Sequence, residues 1–109
     1  MDHIELWDKA KALMREELAN VSYTTWIEQP LKPVYVVDDK LALEVISDFN
    51  EKTIRARYLS MITAAVSQAA GREMTIELMS VKERIEWQER QKKEEAPAMQ
   101  GINMFNPKS

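Results

Sequence analysis

"LALEVISDFNEKTIRARYLSMITAAVSQAAGREMTIELMS", residues 41–80, changes its hydrophobic period twice, and these changes decide the fold. Its first six residues alternate as in a half-buried strand, with one set expected to face the core: Leu41, Leu43 and Val45. A long stretch with helical period follows and ends at Gly71, and residues 74–78 alternate again. The stretch therefore predicts strand, helix and strand.

The helix in this stretch is predicted to begin at Asp48, because Asp48 and Glu51 have the spacing of a capping box. Its buried stripe is expected to consist of Ile54, Tyr58, Leu59, Ile62, Ala65, Val66 and Ala69. Phe49, in the first turn, lies about 150° from the centre of that stripe when each residue turns the helix by about 100°. We expect its ring to point to solvent or to a partner.

Upstream, residues 4–19, "IELWDKAKALMREELA", read as an amphipathic helix. Its apolar face covers roughly half the circumference, which is wider than the stripe of about 100° that packing on one core requires. Trp7, Ile4 and Leu18 lie at the margin of this face. The surplus predicts that these three residues are available to a partner.

Between this helix and the first strand lies "NVSYTTWIEQPL", residues 20–31. Ser22 is predicted to be the N-cap of a short helix that Pro30 ends. Thr and Trp are mediocre helix formers, so such a short helix needs tertiary packing to persist. Trp26 and Ile27 are the predicted core anchors.

"VYVV" and "LALEVI" flank Asp38-Asp39-Lys40, which predicts a hairpin with a polar turn. The predicted order is α-α-β-β-α-β, a single small α+β domain over residues 1–80, with a three-stranded sheet packed on helices. Residues 81–109 are charged and contain two prolines and a glycine. They are predicted to form a disordered, charged C-terminal tail, either a solvated linker or a marginal helix. In this tail we expect no structural role for Trp87.

Composition excludes several classes of function. A net charge of −3 and a pI near 5.2 argue against a dominant phosphate-binding surface. The chain has no cysteine, no basic start followed by an apolar segment, and no apolar run near the roughly 18 residues that cross a bilayer. A cytoplasmic protein without membrane contact is predicted.

The inventory of catalytic residues is also small. The single histidine, His3, lies at the N-terminus, so neither a Ser-His-Asp triad nor a multi-histidine metal site can be assembled. Gly71 and Gly101 are too isolated for a phosphate-binding loop, and no GKT or GKS follows either of them. We expect no catalytic residue, no metal and no cofactor in this chain, which is therefore predicted not to be an enzyme.

Several motifs in order carry a resemblance to a known family: Leu6-Trp7, Glu17-Leu18, Ser22-Tyr23-x-Thr25-Trp26-Ile27, Pro30-Leu31 and "LALEVISDFNEKTIRARYL". Over residues 4–79 the chain resembles domain I, the N-terminal domain, of the DnaA family of bacterial replication initiators. "FNPKS" at the end is similar to the start of that family's nucleotide-binding AAA+ domain. "WIEQPL" has one more residue than the commoner "WIxPL", and the family's usual Asn before the helix-starting Phe is replaced by Asp48.

The resemblance implies a K-homology-like interaction domain in the initiation of DNA replication. It implies weak self-association through Trp7, with Ile4 and Leu18 beside it. It also implies that Phe49, with the edge formed by Ser22 and Tyr23 and the flanking Asp48 and Asn50, contacts the replicative helicase DnaB or initiation regulators. Any ATP would bind an AAA+ domain absent from this chain.

Other interpretations remain open at this point. Trp7 could belong to the core, and Phe49 could fold back on its own helix. A K-homology-like module could bind single-stranded DNA, but the Gly-x-x-Gly loop is missing and Lys52, Arg55 and Arg57 form no stripe, so only weak, non-specific binding is expected. The chain could be a fragment of an initiator or a complete short homologue that acts as a regulator.

Overall fold

The computed structural model describes the backbone of residues 1–100 and the side chains of residues 1–93. The end of the predicted linker, with the "FNPKS" stretch, lies outside the described residues. Within them the order is α1 (His3–Glu17), α2 (Asn20–Tyr23), β1 (Leu31–Val37), β2 (Lys40–Val45), α3 (Asp48–Thr53), α4 (Leu59–Ala70), β3 (Thr75–Met79) and α5 (Val81–Gln100). Two π-helical turns continue helices, Thr24–Glu28 after α2 and Ile54–Tyr58 between α3 and α4. The predicted α+β domain with order α-α-β-β-α-β is confirmed, and α5 is added to it.

The sheet is mixed, with strand order β1-β2-β3. β1 and β2 form an antiparallel hairpin, whereas β2 and β3 run parallel because α3 and α4 return the chain to the opposite end of the sheet. The hairpin turn is Asp38-Asp39, and Asp38 has a left-handed φ of 53°, which aspartate tolerates better than most residues. The register of β1 shifts between Pro33 and Tyr35, so this edge strand contains a bulge.

One face of the sheet carries the core. The predicted inward set of β2, Leu41, Leu43 and Val45, is fully buried, as expected from its alternation. α1 and α4 pack against each other on this face, and α1 also contacts β1 and α2. The other buried apolar residues of this cluster are Leu6, Trp7, Ala10, Met14, Tyr23, Ile27, Leu31, Ile54, Ile62, Ala65, Val66, Met74 and Leu78.

The wide apolar face of α1 is used by the domain itself. Trp7 has only 1% of its surface exposed, so the prediction that it lies at an available margin is wrong. Leu18 is partly buried against the core and is the C-cap of α1. Ile4 alone of the three is well exposed, at 55%. The face is wide because α4, β1 and α2 all pack on it, rather than one neighbour.

The short second helix begins earlier than predicted. Its N-cap position is Ala19, and the Tyr23 amide donates to the Ala19 carbonyl at 2.9 Å, so Ser22 lies inside the helix and is not its cap. The π-helical turn that follows contains the i→i+5 bond from the Gln29 amide to the Thr24 carbonyl, 3.0 Å long. A π-turn holds one more residue than an α-turn, which accommodates the extra residue of "WIEQPL" before Pro30.

The long helical segment after β2 is capped one residue earlier than predicted. The Ser47 hydroxyl accepts from the Asn50 amide at 3.2 Å and donates to the Asn50 side-chain oxygen at 2.6 Å. Asp48 is the first helical residue and not the N-cap, because Ser47 has the extended backbone that a cap requires. The segment ends at Gly71, whose φ of 74° closes the helix as predicted.

Of the two alternatives predicted for the residues after Ser80, the helix is the one present, as α5. Residues 81–100 form a helix, not a tail without structure, and its first turn carries reciprocal bonds between Ser80 and Glu83. Arg84 pairs with Glu44 of β2 at 2.9 Å. The Trp87 ring stacks on Tyr35 of β1 with a centroid distance of 4.8 Å, so Trp87 does have a structural role. None of the helices in the part of the chain that the structure describes is long and apolar enough to span a bilayer.

Candidate functional site

Three aromatic side chains meet at one surface of the domain. The Trp26 ring lies 6.1 Å from the Phe49 ring and 6.2 Å from the Tyr58 ring, measured between centroids. Phe49 and Trp26 are tilted by 44°, whereas Trp26 and Tyr58 are nearly parallel, at 20°. These separations are typical of favourable aromatic pairs. We refer to Trp26, Phe49 and Tyr58 as the aromatic cluster.

The three side chains of the aromatic cluster differ in solvent exposure. Phe49 exposes 70% of its surface, which confirms the prediction that it points away from the buried stripe of its helix. Trp26 and Tyr58 are partly buried and pack on the core. Phe49 is therefore an exposed ring supported from behind by Trp26, and its position is fixed by more than its own helix.

Both π-helical turns contribute to the cluster. Trp26 lies in the middle of the first turn, and Tyr58 is the last residue of the second. Ile27, next to Trp26, and Ile54, the first residue of the second turn, are fully buried. Each turn thus anchors one isoleucine in the core and presents one aromatic side chain toward the surface. π-helical turns occur frequently at functional sites, because the inserted residue redirects a side chain.

The predicted core anchors behave differently from each other. Ile27 is a core anchor, as predicted. Trp26 is only partly buried, so it supports the cluster as well as the core. Tyr58 was expected in the buried stripe, but its backbone angles of φ −120° and ψ −13° leave the α-helical region at the end of the π-turn. Tyr58 therefore packs on the core, as the stripe predicts, and also stacks on Trp26, for which the hydrophobic pattern contains no signal.

The other residues predicted to flank Phe49 are only partly brought together. Ser22 lies about one helical turn before Trp26 and is partly exposed. Asp48 is exposed beside Phe49, and Asn50 is partly buried and held by the Ser47 cap. Tyr23 exposes 4% of its surface and belongs to the core. Its predicted place on the exposed edge is wrong, because the helix turns its side chain toward α1.

Tyr23 instead organises a polar network between α1 and the first π-turn. Its hydroxyl donates to Glu28 Oε1 at 2.9 Å and accepts from Arg15 Nη2 at 3.4 Å. Lys11 Nζ donates to the same Glu28 oxygen at 3.3 Å. The Tyr23 hydrogen bond lowers the pKa of Glu28, and burial raises the pKa of Tyr23. The network fixes the π-turn that carries Trp26 against α1.

A second surface surrounds Ile4. A shallow groove of about 400 Å³ runs between α1 and the start of β1. Ile4, Asp8 and Lys11 line it from α1, and Lys32 and Pro33 line it from β1. Trp7 also borders the groove but contributes almost no exposed surface. Of the three residues predicted for self-association, the groove thus offers a partner mainly Ile4.

Both surfaces fall within a region that matches a known family. The family model described as the DnaA N-terminal domain matches residues 4–68, which include the whole aromatic cluster. The chain belongs to the DnaA N-terminal domain family. The resemblance of the sequence motifs to this family is thereby confirmed.

Relatives of the DnaA family extend the similarity beyond residue 68. The chain is 30% identical to the chromosomal replication initiator protein DnaA of Thermoanaerobacter sp. (strain X514), over 98% of this chain and 24% of that protein. It is 35% identical to the DnaA of Citrifermentans bemidjiense, over 74% of this chain and 18% of that protein. The chain therefore spans about a quarter, or less, of the length of these DnaA relatives, and it is similar to a domain of a replication initiator.

Several charges on this DnaA N-terminal domain are paired. Arg55 pairs with Glu51 at 3.0 Å and Arg72 with Asp39 at 3.1 Å. Lys40 pairs with Glu77 at 2.9 Å, and this hydrogen bond raises the pKa of Lys40 and lowers the pKa of Glu77. Paired cations offer a phosphate backbone little free charge. Among the described residues no cluster of acidic or histidine side chains is arranged to hold a metal ion.

Proposed function

We propose that this chain is a protein–protein interaction domain of a cytoplasmic DNA replication initiator, and that the aromatic cluster is its docking surface. The partner would be the replicative helicase DnaB or a regulator that competes for the same surface. The observation that carries the proposal is Phe49, a large apolar side chain that is 70% exposed yet held in place by Trp26. Membership of the DnaA N-terminal domain family supports the same function.

The energetics of the cluster favour docking over self-packing. An exposed phenylalanine contributes little to folding, because most of its area stays in water. The same ring can supply about 2 kcal/mol or more to a complex when a partner covers it, because interface energy concentrates in a few aromatic anchors. Trp26 already restricts Phe49, so less conformational entropy is lost when a partner binds. A preorganised aromatic anchor is a common feature of recognition surfaces.

The charged residues around Phe49 indicate what kind of surface the partner should have. Asp48 and Glu51 precede and follow it in the first turn of α3, and Lys52 is exposed nearby. Acidic residues at a helix N-terminus are locally favourable, but they also give the rim of the patch a negative character. The partner should therefore present an apolar pocket for Phe49 with basic or neutral residues around it.

The test compares two variants of similar exposure. Phe49→Ala should melt within a few degrees of the parent but bind the cognate DnaB at least about thirtyfold more weakly, which corresponds to about 2 kcal/mol. Val37→Ala is the matched control, because Val37 is 53% exposed and lies beside the hairpin turn, in a different element from all three cluster residues. Binding would be measured by titration calorimetry and folding by thermal melts.

Three results would contradict the proposal. If Phe49→Ala binds DnaB as tightly as the parent does, the cluster is not the docking surface. If Phe49→Ala instead melts far below the parent, its ring serves folding and not recognition. Equal losses for Phe49→Ala and Val37→Ala would indicate contact outside the cluster.

We also propose that the domain self-associates weakly through the groove around Ile4. Ile4 is the exposed one of the three residues predicted for self-association. Pro33 adds apolar surface to the groove, and Asp8 and Lys11 add charges. With Ile4 as its one well-exposed apolar side chain from the predicted set, the groove fits a transient interface better than an obligate one, because obligate interfaces are large and more hydrophobic. Sedimentation of Ile4→Asp over a concentration series should show monomer where the parent shows reversible dimer. A dimer that survives this substitution would exclude the groove.

A further inference from the structure

The sheet has an outer face, opposite the core, whose residues are defined by the register. Tyr35, Ala42 and Glu77 lie side by side across the three strands, and Glu44 and Met79 pair in the next row toward α5. Such a face is usually polar when it meets water. Here, however, Ala42 is fully buried and Met79 exposes only 5% of its surface. Some element must therefore cover this face.

α5 is the element that contacts it. Arg84 reaches back to Glu44, and the side chains of this ion pair are 29% and 12% exposed. Three residues further along α5, Trp87 stacks on Tyr35 at 4.8 Å. Arg84 and Trp87 share one side of the helix because they are three residues apart. We refer to Arg84, Glu44, Trp87 and Tyr35 as the α5 latch.

The rest of α5 contributes little to its attachment. Val81 and Ile85, the other apolar residues of its described side chains, are both exposed by more than a third. The remaining positions up to Lys93 are charged or amide residues. α1 and α4 are attached differently, because each buries at least three apolar side chains in the core. The free energy that holds α5 on the sheet is therefore concentrated in the α5 latch.

We propose that α5 is a detachable cover of the outer sheet face, held by the α5 latch and released as one unit while the domain stays folded. An ion pair and one aromatic stack together give a small opening free energy, which places α5 among the first segments to open. Released α5 would also lose helix, because an isolated charged helix of this length is marginal in water. Only Ser80 separates the end of β3 from the start of α5, so the chain keeps released α5 next to the sheet and it closes again quickly.

Release would change the surface of the domain in a defined way. Tyr35 would lose its stacking partner and remain beside Lys40, which lies 5.9 Å from the Tyr35 ring centroid. Ala42 and Met79 would become accessible, and Glu44 would lose its cation. The outer face would then offer an aromatic ring, a small apolar strip and carboxylates. A partner for this face must therefore compete with α5, and the position of α5 reports whether it is bound.

Amide hydrogen exchange of the whole chain, followed residue by residue by NMR, tests the proposal. In the parent, amides of residues 85–91 should be protected, but less than those of β2. Trp87→Ala should accelerate exchange in residues 85–91 by about tenfold, the factor that corresponds to about 1.4 kcal/mol, without changing β2. Ile85→Ala is the matched control, because Ile85 is on α5 but outside the α5 latch, and it should leave exchange close to the parent.

A second variant separates the latch from a general effect of a lost tryptophan. Glu44→Gln keeps the side-chain shape in β2 but removes the charge that holds Arg84, so exchange in α5 should rise about two- to fivefold. The proposal is wrong if residues 85–91 of the parent already exchange as a free peptide does. It is also wrong if Trp87→Ala leaves α5 protected, or if it accelerates β2 and α5 equally, because α5 would then be inseparable from the core.

Discussion

The variant Trp7→Ala tests whether the Trp7 side chain serves the core or a binding surface. Trp7 exposes 1% of its surface and lies in a core where α1 meets α4, β1 and α2. Truncating a fully buried aromatic residue costs about 3 to 5 kcal/mol, since its transfer free energy is lost and a cavity remains. Domains of this size are stable by about 5 to 15 kcal/mol. Trp7→Ala should therefore lose a fifth or more of the total stability, or unfold.

Urea denaturation followed by far-ultraviolet circular dichroism measures this loss, with Ile4→Ala as the control. Ile4 is three residues before Trp7 on the same helix but 55% exposed, so Ile4→Ala should cost less than about 1 kcal/mol. Sedimentation of both variants shows the effect on self-association. If Trp7→Ala keeps nearly full stability and loses only its self-association, Trp7 is not a core residue. In that case Trp7, and not Ile4, would be the interface residue.

Three further predictions concern the caps, the Tyr23 network and nucleic acid. In chemical denaturation, Ser47→Ala should lower the free energy of unfolding by about 1 kcal/mol and Asp48→Ala by clearly less, because Ser47 is the N-cap. A larger loss for Asp48→Ala would show that Asp48 is the N-cap. The pKa of Glu28 is held below its ordinary value of 4.5, so its stabilisation is complete above pH 4.5 and is lost as the pH falls through the lowered pKa. Tyr23→Phe should remove this contribution, so parent and variant should differ most near neutral pH and converge in acid denaturation curves. Single-stranded DNA titrated at near-physiological salt should bind with a Kd on the order of 10⁻⁴ to 10⁻⁶ M or weaker and without sequence preference. Tight, sequence-dependent binding would instead make DNA binding, and not protein binding, the main function of the domain.

The strands and long helices were predictable because their hydrophobic periods are regular. The alternation around Leu41 and Leu43 fixed the inner face of β2, and Gly71 fixed the end of α4. The caps were predicted less well, because Ser47 and Asp48 are adjacent and both residue types can cap a helix. Only the backbone angles distinguish them.

The candidate site was predictable for Phe49 but not for its surroundings. The position of Phe49 opposite the stripe follows from helical arithmetic, and its exposure agrees. The stacking of Tyr58 on Trp26 depends on two π-helical turns, which leave no mark in a periodic pattern. Trp7 was misplaced because a helical wheel measures the width of an apolar face but not how many neighbours cover it.

α5 shows the limit of composition as evidence. Residues 81–93 are as charged as a solvated linker, and their average hydrophobicity predicts no packing. Two residues with the right spacing, Arg84 and Trp87, nevertheless attach the helix, because Glu44 and Tyr35 lie opposite them on the sheet. Such specific pairs depend on tertiary structure and cannot be read from one segment alone.

The bulge in β1 has a consequence for the behaviour of the domain at high concentration. β1 is an edge strand, and an edge with regular spacing can add a strand from another molecule and begin aggregation. Pro33 lacks an amide hydrogen, and the register shift between Pro33 and Tyr35 interrupts the spacing of the remaining donors and acceptors. At the β1 edge, therefore, a crowded copy of this domain finds no regular row of donors and acceptors on which to extend the sheet.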